Sequence, residues 1–388
     1  MKENIGVISM GIKTPIIKEG DNIVDIVVNS VLEATKIGQK FVQPNSNVKG
    51  LVKVPGQYNY DINHHDVIGI TESVVARAQG NYVTVDEIAE DIKKKFNNPD
   101  VIIVDSPIYS RNRFSMILKA IARAAKYEVK IIMPDFDEVG NPRGKNPFTG
   151  VNIAEYYKEI CEKEGKRFEM INPNSSYSVK HGSKIGFLYC GLHDYKEWLE
   201  ENQTLSLNQK ELTLANICDD KCEYGLLGSN KATEEKLKLF PNKVKAQKVV
   251  EEIQEKIADK TGKLVYVCIY GDGCFKDAVG GIWEFADPVT MPAYTNPEIF
   301  ESTPNEIKIK YLADNKYGNL NGKELEEAIS KEIEEYKGKD LKGSMTSEGT
   351  TPRLYRDLLA SLMDLTSGSG MRGTPVVMVK NYFNNFAS

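Results

Sequence analysis

The sequence predicts a mixed α/β (α+β) fold with two lobes and an additional α/β insert. Strand-length apolar runs alternate along the chain with segments in which apolar residues recur at helical spacing. The apolar run Val101–Val104 precedes a helical segment and a second apolar run, an order that favours a parallel crossover unit. The 388 residues, 41% of them hydrophobic, suffice for two or three packed domains. We divide the chain into an N-terminal lobe at 1–97, an insert at 98–210 and a C-terminal region at 211–388.

The N-terminal lobe opens with alternating apolar residues near Ile8, which predict a strand, and a loop containing proline and glycine follows. The spacing Thr84-x-x-Glu87 is typical of a helix N-terminus and predicts a helix from Val85. The other elements predicted here are a helix over 23–34, a strand over 66–71 and a polar loop over 71–80.

The insert contains its own strands and helices, so we expect it to form a small sheet of its own. Gly140-Asn141-Pro142 predicts a loop after its second strand. The predicted strands are 101–104, 129–133 and 184–190, and the predicted helices are 113–125, 153–164 and 195–201.

The C-terminal region repeats the alternation of apolar strands and amphipathic helices, without an internal repeat at a fixed period. Its most apolar run, Lys263–Tyr270, ends at Gly271-Asp272-Gly273. The predicted strands are 212–218, 263–270 and 375–379, and the predicted helices are 245–260, 323–336 and 352–365.

Composition excludes several classes of protein. The net charge of −5 and the lack of a basic stripe argue against a nucleic-acid partner. The apolar runs are far shorter than the roughly 20 residues of a membrane span, and the N-terminus lacks a signal sequence, so we expect a cytoplasmic protein. Cys218 and Cys222 are spaced Cys-x3-Cys, but no second pair nearby completes a zinc site.

Polar loops after strands are the predicted functional sites, because ligands of open α/β sheets collect beyond the carboxyl ends of strands. Asp219, Asp220 and Asp272 are candidate ligands of Mg²⁺, which prefers carboxylate oxygens beside triphosphates. Aspartates at these positions also serve simply as turn formers or caps. The loops that qualify are 13–21, 71–80, 219–220, 270–273 and 367–374.

Basic and imidazole side chains could meet a phosphate or a substrate carboxylate at these loops. Lys13, Thr14 and Arg77 are candidates, although Arg77 could instead pair with Glu72 on a helix face. The histidines are candidate bases or ligands, but surface or core histidine is the commoner role. They are His64, His65, His181 and His193.

Five blocks of sequence follow one another along the chain: Thr14–Asp21, Thr71–Gly80, Leu214–Asp219, Thr261–Phe275 and Thr374–Val379. In this order they resemble the coenzyme F420-0:L-glutamate ligase (gamma-glutamyl ligase) family. The resemblance covers roughly 230 to 250 residues and leaves 98–210 without a counterpart. It implies a gamma-glutamyl-ligase-like fold that dimerises. The implied activity is that of a GTP-dependent amide ligase, which joins L-glutamate to a small-molecule carboxylate acceptor. The implied cofactor is Mg²⁺ or Mn²⁺, and ATP is a possible alternative nucleotide.

Position by position, the resemblance implies roles for individual residues. Arg77 would be the basic catalytic residue and a further nucleotide contact. Apart from the resemblance, the chemistry needs a base that takes the proton from the amine, and Asp220 or a histidine could serve. The remaining implied roles are a guanine-nucleotide loop at Thr14, Pro15, Ile16 and Ile17, a second nucleotide contact at Glu72 and Ser73, and metal ligands at Asp219 and Asp272.

Two other functions stay open at this point. The scaffold could be a non-catalytic nucleotide-binding regulator, because the Asp219 block reads Ala-Asn-Ile-Cys-Asp and departs from the family pattern. Alternatively, the chain could be a transferase whose active site lies in the insert. The residues of that site would be Ser106, Arg111, Arg113, Asp135, Asp137 and Glu138.

Overall fold

Two five-stranded sheets, each packed against helices, organise the fold. The mixed α/β class predicted from the sequence is therefore confirmed. The structure is a computed structural model, and it describes residues 6–37, 61–105, 113–133, 150, 152–172, 179, 182–190, 209–271, 275–276, 283–284, 289–304, 307–336, 354–367 and 373–383.

The elements are numbered here in chain order. The strands are β1 (Ile8–Ile12), β2 (Val67–Thr71), β3 (Tyr82–Thr84), β4 (Val101–Asp105), β5 (Glu128–Ile132), β6 (Arg167–Ile171), β7 (Ile185–Tyr189), β8 (Gln209–Thr213), β9 (Asn230–Thr233), β10 (Lys236–Lys238), β11 (Tyr266–Tyr270), β12 (Phe275–Lys276), β13 (Trp283–Glu284), β14 (Ala293–Tyr294) and β15 (Val376–Lys380). The α-helices are α1 (Ile23–Ile37), α2 (Glu72–Ala78), α3 (Val85–Lys95), α4 (Arg113–Ala124), α5 (Ile153–Lys163), α6 (Lys243–Thr261), α7 (Pro297–Phe300), α8 (Ile309–Tyr311), α9 (Gly322–Tyr336) and α10 (Tyr355–Ser367). A 3₁₀ turn (Leu214–Asn216) and a π-helical turn (Leu312–Lys316) complete the described elements.

The first sheet joins strands from the two ends of the chain in the order β1-β15-β2-β11-β14. β2 and β11 are parallel, whereas β15 lies antiparallel between β1 and β2, and β14 pairs antiparallel with β11. Alternate side chains of the strands face opposite layers of helix. One face packs on α1 and α6 through residues such as Ile68 and Val267, and the other packs on α10 through Cys268 and Val377.

The second sheet is wholly parallel, in the order β6-β5-β4-β7-β8. This confirms the parallel crossover predicted from Val101–Val104. Ile102 and Val129 belong to a core that includes side chains of α3, α4 and α5, while Ile103 and Phe187 face the other way. In its own numbering the strand order is 3-2-1-4-5, which is the order of doubly wound sheets.

The division of the chain at residues 97 and 210 stays a prediction. α3, which the division places in the first lobe, packs most extensively on α4 of the insert. β8 begins at Gln209 and crosses the second boundary while pairing with β7. A small sheet of order β3-β10-β9 pairs a strand of the first lobe with two strands of the C-terminal region.

Several predicted elements differ from the structure. The stretch 72–78 is a helix rather than a loop, because Val75, Ala76 and Ala78 turn one face into the core. The predicted strand 212–218 ends at Thr213, where a 3₁₀ turn begins with the side chain of Asn216 bonded back to Thr213. The predicted helix 195–201 and the loops at 140–142 and 368–372 lie outside the described residues.

Within the ranges that the structure describes, no helix combines the length and hydropathy needed to cross a membrane.

Candidate active site

Four segments that are far apart in sequence meet at one edge of the first sheet. β2 and β11 are parallel, with Thr71 opposite Tyr270. β15 begins with Val376 opposite Ile70, and β1 ends with Ile12 opposite the same Val376. The described residues that follow β1, β2 and β11, and those that precede β15, therefore share this edge, which we call the carboxyl edge. They belong to four of the five predicted loops, and the position is where open α/β sheets bind ligands.

The loop after β1 is held to the end of α2. The Gly20 N–H donates to the Ala78 carbonyl at 3.0 Å. Ile17 is buried in the core beneath the loop, whereas Ile16 is 80% exposed. The Thr14 hydroxyl donates to the Pro15 carbonyl at 2.9 Å. Of the predicted nucleotide loop, Thr14, Pro15 and Ile16 are thus the residues that a ligand can reach.

A buried ion pair lies at the start of α2. Glu72 and Lys238 are 2% and 6% exposed, and the Lys238 Nζ donates to both carboxylate oxygens of Glu72 at 2.7 and 2.8 Å. Glu72 does not pair with Arg77, as one reading of the sequence suggested, because the lysine of β10 reaches it instead. The predicted nucleotide contact of Glu72 stays a prediction, and Lys238 joins this site without having been found from the sequence.

Ser73 and Arg77 both lie on α2 and are exposed. Among the residues that the structure describes, no carboxylate forms an ion pair with Arg77, so its guanidinium can meet an anionic ligand.

The segment carrying Asp219 and Asp220 packs along α3. Lys95 Nζ donates to Asp219 Oδ1 at 2.6 Å, and the Cys218 N–H donates to Asp91 Oδ2 at 2.7 Å. Asp220 is exposed. The lysine lies where a cation bound to Asp219 would otherwise be expected. The sequence gives no sign of this pair, since the two residues are 124 positions apart.

The described residues contain no group of three or more His, Cys, Asp or Glu side chains placed to hold a metal ion. Asp272, the second predicted ligand, lies outside the described residues. The metal role of Asp219 and Asp272 therefore stays a prediction.

The cysteines of the same segment are protonated thiols. Burial raises the pKa of Cys218 to about 12 and that of Cys222 to about 11. Cys222 Sγ contacts the Phe240 carbonyl at 3.5 Å. Zinc binds the thiolate form, whereas these two side chains pack in the core of the second sheet.

Two of the candidate histidines lie at the opposite edge of the first sheet. His64 and His65 precede β2, where His64 Nδ1 accepts a backbone N–H at 3.1 Å. The ring of His65 stacks on Tyr266, the first residue of β11, with centroids 5.4 Å apart. Neither is placed to act as a base at the carboxyl edge. His181 and His193 lie outside the described residues, as do Ser106, Arg111, Asp135, Asp137 and Glu138 of the alternative site in the insert.

A cavity of about 610 Å³ lies beside β14. One residue of its wall is joined to the end of β11, because the Gly271 N–H donates to the Thr290 carbonyl at 2.9 Å. Sequence reasoning missed this cavity, because its charged residues lie at helix starts and in loops where such residues are ordinary. The polar side chains that line it include Lys243, Thr290, Tyr294, Glu301, Arg356 and Asp357.

Hydrogen bonds order the polar wall of this cavity. The Tyr294 hydroxyl donates to Glu301 Oε1 at 2.7 Å, and burial together with this bond raises the pKa of Tyr294, which stays protonated. The Thr290 hydroxyl donates to Asp357 Oδ1 at 2.5 Å. Arg356 lies 3.5 Å from the Tyr294 oxygen and 3.9 Å from Asp357 Oδ1. The cavity thus brings cations and carboxylates together without a tight pair between them.

Comparison with known proteins gives one family. The family model described as F420-0:Gamma-glutamyl ligase matches residues 11–381. A search of curated proteins gave no match.

Proposed function

Starting from the fact that the chain belongs to the F420-0:gamma-glutamyl ligase family, and so to amide ligases that add glutamate, we propose that it activates a carboxylate acceptor with GTP and couples it to L-glutamate. The acceptor is F420-0 or another small molecule that takes gamma-linked glutamate. ATP is the alternative nucleotide.

The proposed reaction has two steps. An oxygen of the acceptor carboxylate attacks the γ-phosphorus of GTP, which forms an acyl phosphate and releases GDP. The nitrogen of L-glutamate then attacks the acyl carbon, the amine loses a proton, and inorganic phosphate leaves with the carboxylate oxygen. The first step supplies the leaving group that a carboxylate lacks.

The observation that carries this proposal is the convergence of four segments at the carboxyl edge. Thr14 to Ile16 and the start of α2 come to this edge from separate parts of the chain. Arg77 on α2 has an exposed guanidinium, and such a group can stabilise the transferring phosphoryl group. Asp220 is exposed and stays a candidate base.

Mg²⁺ or Mn²⁺ belongs to the proposal as the counter-ion that a triphosphate brings with it. It would neutralise charge on the phosphates. Asp219, one of its predicted ligands, is paired with Lys95.

The compartment and the assembly are also proposals. A reducing cytoplasm is supported by the cysteines, since the five that lie in the described ranges are unpaired. A homodimer is expected from the family, and sedimentation equilibrium tests it.

An isotope experiment tests the acyl phosphate. The acceptor is prepared with ¹⁸O in its carboxylate and incubated with GTP, a divalent cation and L-glutamate. We expect one ¹⁸O atom in each phosphate released, together with an amide product. Product without label in the phosphate would contradict this mechanism. Nucleotide binding without product would favour the non-catalytic regulator.

Arg77→Ala tests the residue in the same assay. We expect kcat to fall by about 10²-fold, because one preorganised donor at a developing charge contributes about that much. Lys248→Ala removes another exposed cation, on α6, and should leave kcat unchanged. Equal turnover by Arg77→Ala and the wild type would remove Arg77 from the site.

A further inference from the structure

The cavity beside β14 is lined by side chains of both charges, and we infer that it binds the L-glutamate that the ligase adds. In this arrangement Arg356 and Lys243 face the carboxylates of the ligand. Asp357 and Glu301 face its ammonium group. The inference rests on the proposed function, because it assigns a place to the amine substrate of that reaction.

Charge complementarity favours an amino acid over the other substrates. L-Glutamate carries two carboxylates and one ammonium group at neutral pH. A triphosphate or an acceptor bearing only anionic groups would be repelled by Asp357 and Glu301, which line the same cavity as Arg356. A wall with both signs of charge suits a ligand with both signs.

Arg356 is poised to bind a carboxylate. Its guanidinium has five donors in a planar fork that matches a carboxylate. Its contacts with other described residues are long: 3.5 Å from Nη1 to the Tyr294 oxygen and 3.9 Å from Nε to Asp357 Oδ1. Neither contact has the 2.7–2.9 Å length, roughly, of a charge-assisted hydrogen bond. A ligand carboxylate can therefore form a bidentate pair without breaking a strong bond.

The two carboxylates are held in place by neighbours that use one oxygen each. Thr290 donates to Asp357 Oδ1, and Tyr294 donates to Glu301 Oε1. These bonds fix the direction of each carboxylate, and Asp357 Oδ2 and Glu301 Oε2 are the atoms that the ammonium group would meet.

The position of the cavity suits delivery of the amine. Thr290 in its wall accepts a hydrogen bond from the N–H of Gly271, the residue that follows β11 at the carboxyl edge. Its volume, about 610 Å³, lies within the range of roughly 300–1,000 Å³ for small-molecule sites. An amino acid bound there would lie on the β14 side of the edge at which we propose that the acyl group is activated.

The first test is steady-state kinetics of Arg356 variants. We expect Arg356→Ala to raise the KM for L-glutamate by roughly tenfold or more, because a bidentate charge-assisted pair is lost, while the KM for nucleotide stays unchanged. Arg356→Lys should recover part of the loss. Arg167→Ala is the matched control, since Arg167 is 77% exposed on β6 of the second sheet. Thermal unfolding of each variant shows whether a change in KM reflects binding or folding.

The second test measures binding without turnover. Calorimetry compares L-glutamate with glutarate, which has the carboxylates but no amine, in the absence of nucleotide. The wild type should prefer L-glutamate, and Asp357→Asn should reduce that preference several-fold, because L-glutamate loses a counter-charge for its ammonium group and glutarate is repelled less. Asn keeps the oxygen that accepts the Thr290 bond but removes the charge.

The outcomes separate this inference from the proposed function. Binding of L-glutamate that Arg356→Ala weakens supports the site even if no amide forms, in which case the ligase proposal fails alone. Turnover with an unchanged glutamate KM in Arg356→Ala overturns the site and leaves the ligase proposal standing. If L-glutamate is neither bound nor turned over, both the site and the ligase proposal are overturned.

Discussion

Buried charged side chains at the two edges of the first sheet are each neutralised by a distant partner. Glu72 meets Lys238 at the carboxyl edge, and Asp66 meets Lys380 at 2.7 Å at the opposite edge, with all four side chains under a tenth exposed. Partners this far apart in sequence meet only once the elements that carry them have packed together. A buried ion pair is by itself weak evidence of net stability, because desolvation offsets much of the attraction.

Removing the charge of Glu72 should destabilise the protein strongly. Glu72→Gln leaves the ammonium of Lys238 buried without a counter-charge, and we expect a loss of about 3–5 kcal/mol in the free energy of unfolding. Urea denaturation measures it. Glu90→Gln, which removes the exposed partner of Lys93, should cost less than about 1 kcal/mol. The double variant Glu72→Gln/Lys238→Met should be more stable than Glu72→Gln, and the opposite order would contradict the role of the pair.

Glu87 gives the protein a pH-dependent contribution to stability. The hydrogen bond from Lys221, followed by the Thr84 N–H, lowers the pKa of Glu87 from 4.5 to about 2. A carboxyl group with a lowered folded-state pKa stabilises the fold above its unfolded pKa, and this stability is lost as the pH falls towards about 2. The difference in unfolding free energy between wild type and Glu87→Gln should therefore be largest above about pH 5 and shrink towards pH 2, as followed by urea denaturation across that range. A constant difference would contradict this.

At the residue scale, sequence reasoning predicted what depends on near neighbours. The capping box of Thr84 and Glu87 is encoded within four positions, and the structure confirms it with bonds in both directions. The ion-pairing roles of Lys238 and Lys95 were not predicted. Lys238 lies in a short strand and Lys95 ends a helix, and lysines at such positions are usually solvated. Only the fold shows that a distant carboxylate contacts each of them.

At the scale of elements, the predicted bounds were accurate where a single apolar pattern extended over many residues. β11 and α6 were predicted close to their observed ends, whereas β6, with its outer residues exposed, and the short strands β9 and β10 were not predicted. α2 was taken for a loop because seven residues are too few to show a helical repeat.

Two glycines separate the effect of backbone conformation from that of close packing. Gly225 has φ +56°, and a Cβ there would lie 2.5 Å from the carbonyl oxygens of Leu214 and Ala215. Gly262 ends α6 with φ +69° and has no atom within 4 Å of such a Cβ. We expect Gly262→Ala to cost about 1 kcal/mol and Gly225→Ala about 3 kcal/mol or more, measured by chemical denaturation. Equal losses in the free energy of unfolding would show that the backbone around Gly225 moves to accommodate the added methyl group.

At the scale of the whole molecule, Arg123 on α4 joins the three predicted parts of the chain. Its guanidinium bonds to Asp86 at 2.8 Å, Glu164 at 3.1 Å and Glu235 at 2.9 Å, which belong to the lobe, the insert and the C-terminal region respectively. The insert was predicted as a separate sheet, and its strands do pair with one another. Its attachment through α3 was not predictable, since the amphipathic pattern of α3 shows an apolar face without showing what covers it.

Arg123→Ala should loosen all three parts together. We expect the free energy of unfolding to fall by about 2 kcal/mol, because several charge-assisted hydrogen bonds are lost at once, and a single cooperative transition to shift to lower temperature in calorimetry. Arg167→Ala, which removes one long contact with Glu128 at 3.9 Å, should shift it by far less. Separate transitions in Arg123→Ala would show that this arginine also maintains cooperativity.

The position of β15 between β1 and β2 constrains how the chain can be made. During synthesis the second sheet has all its strands once the ribosome has passed Thr213, whereas the first lacks the strand that joins β1 to β2 until Lys380 emerges. At roughly 5–20 residues per second, β15 is completed on the order of ten seconds after β11. During that interval β1, β2 and β11 exist without the strand that completes their pairing. Chaperone engagement in that interval would protect the strands whose ends later form the carboxyl edge.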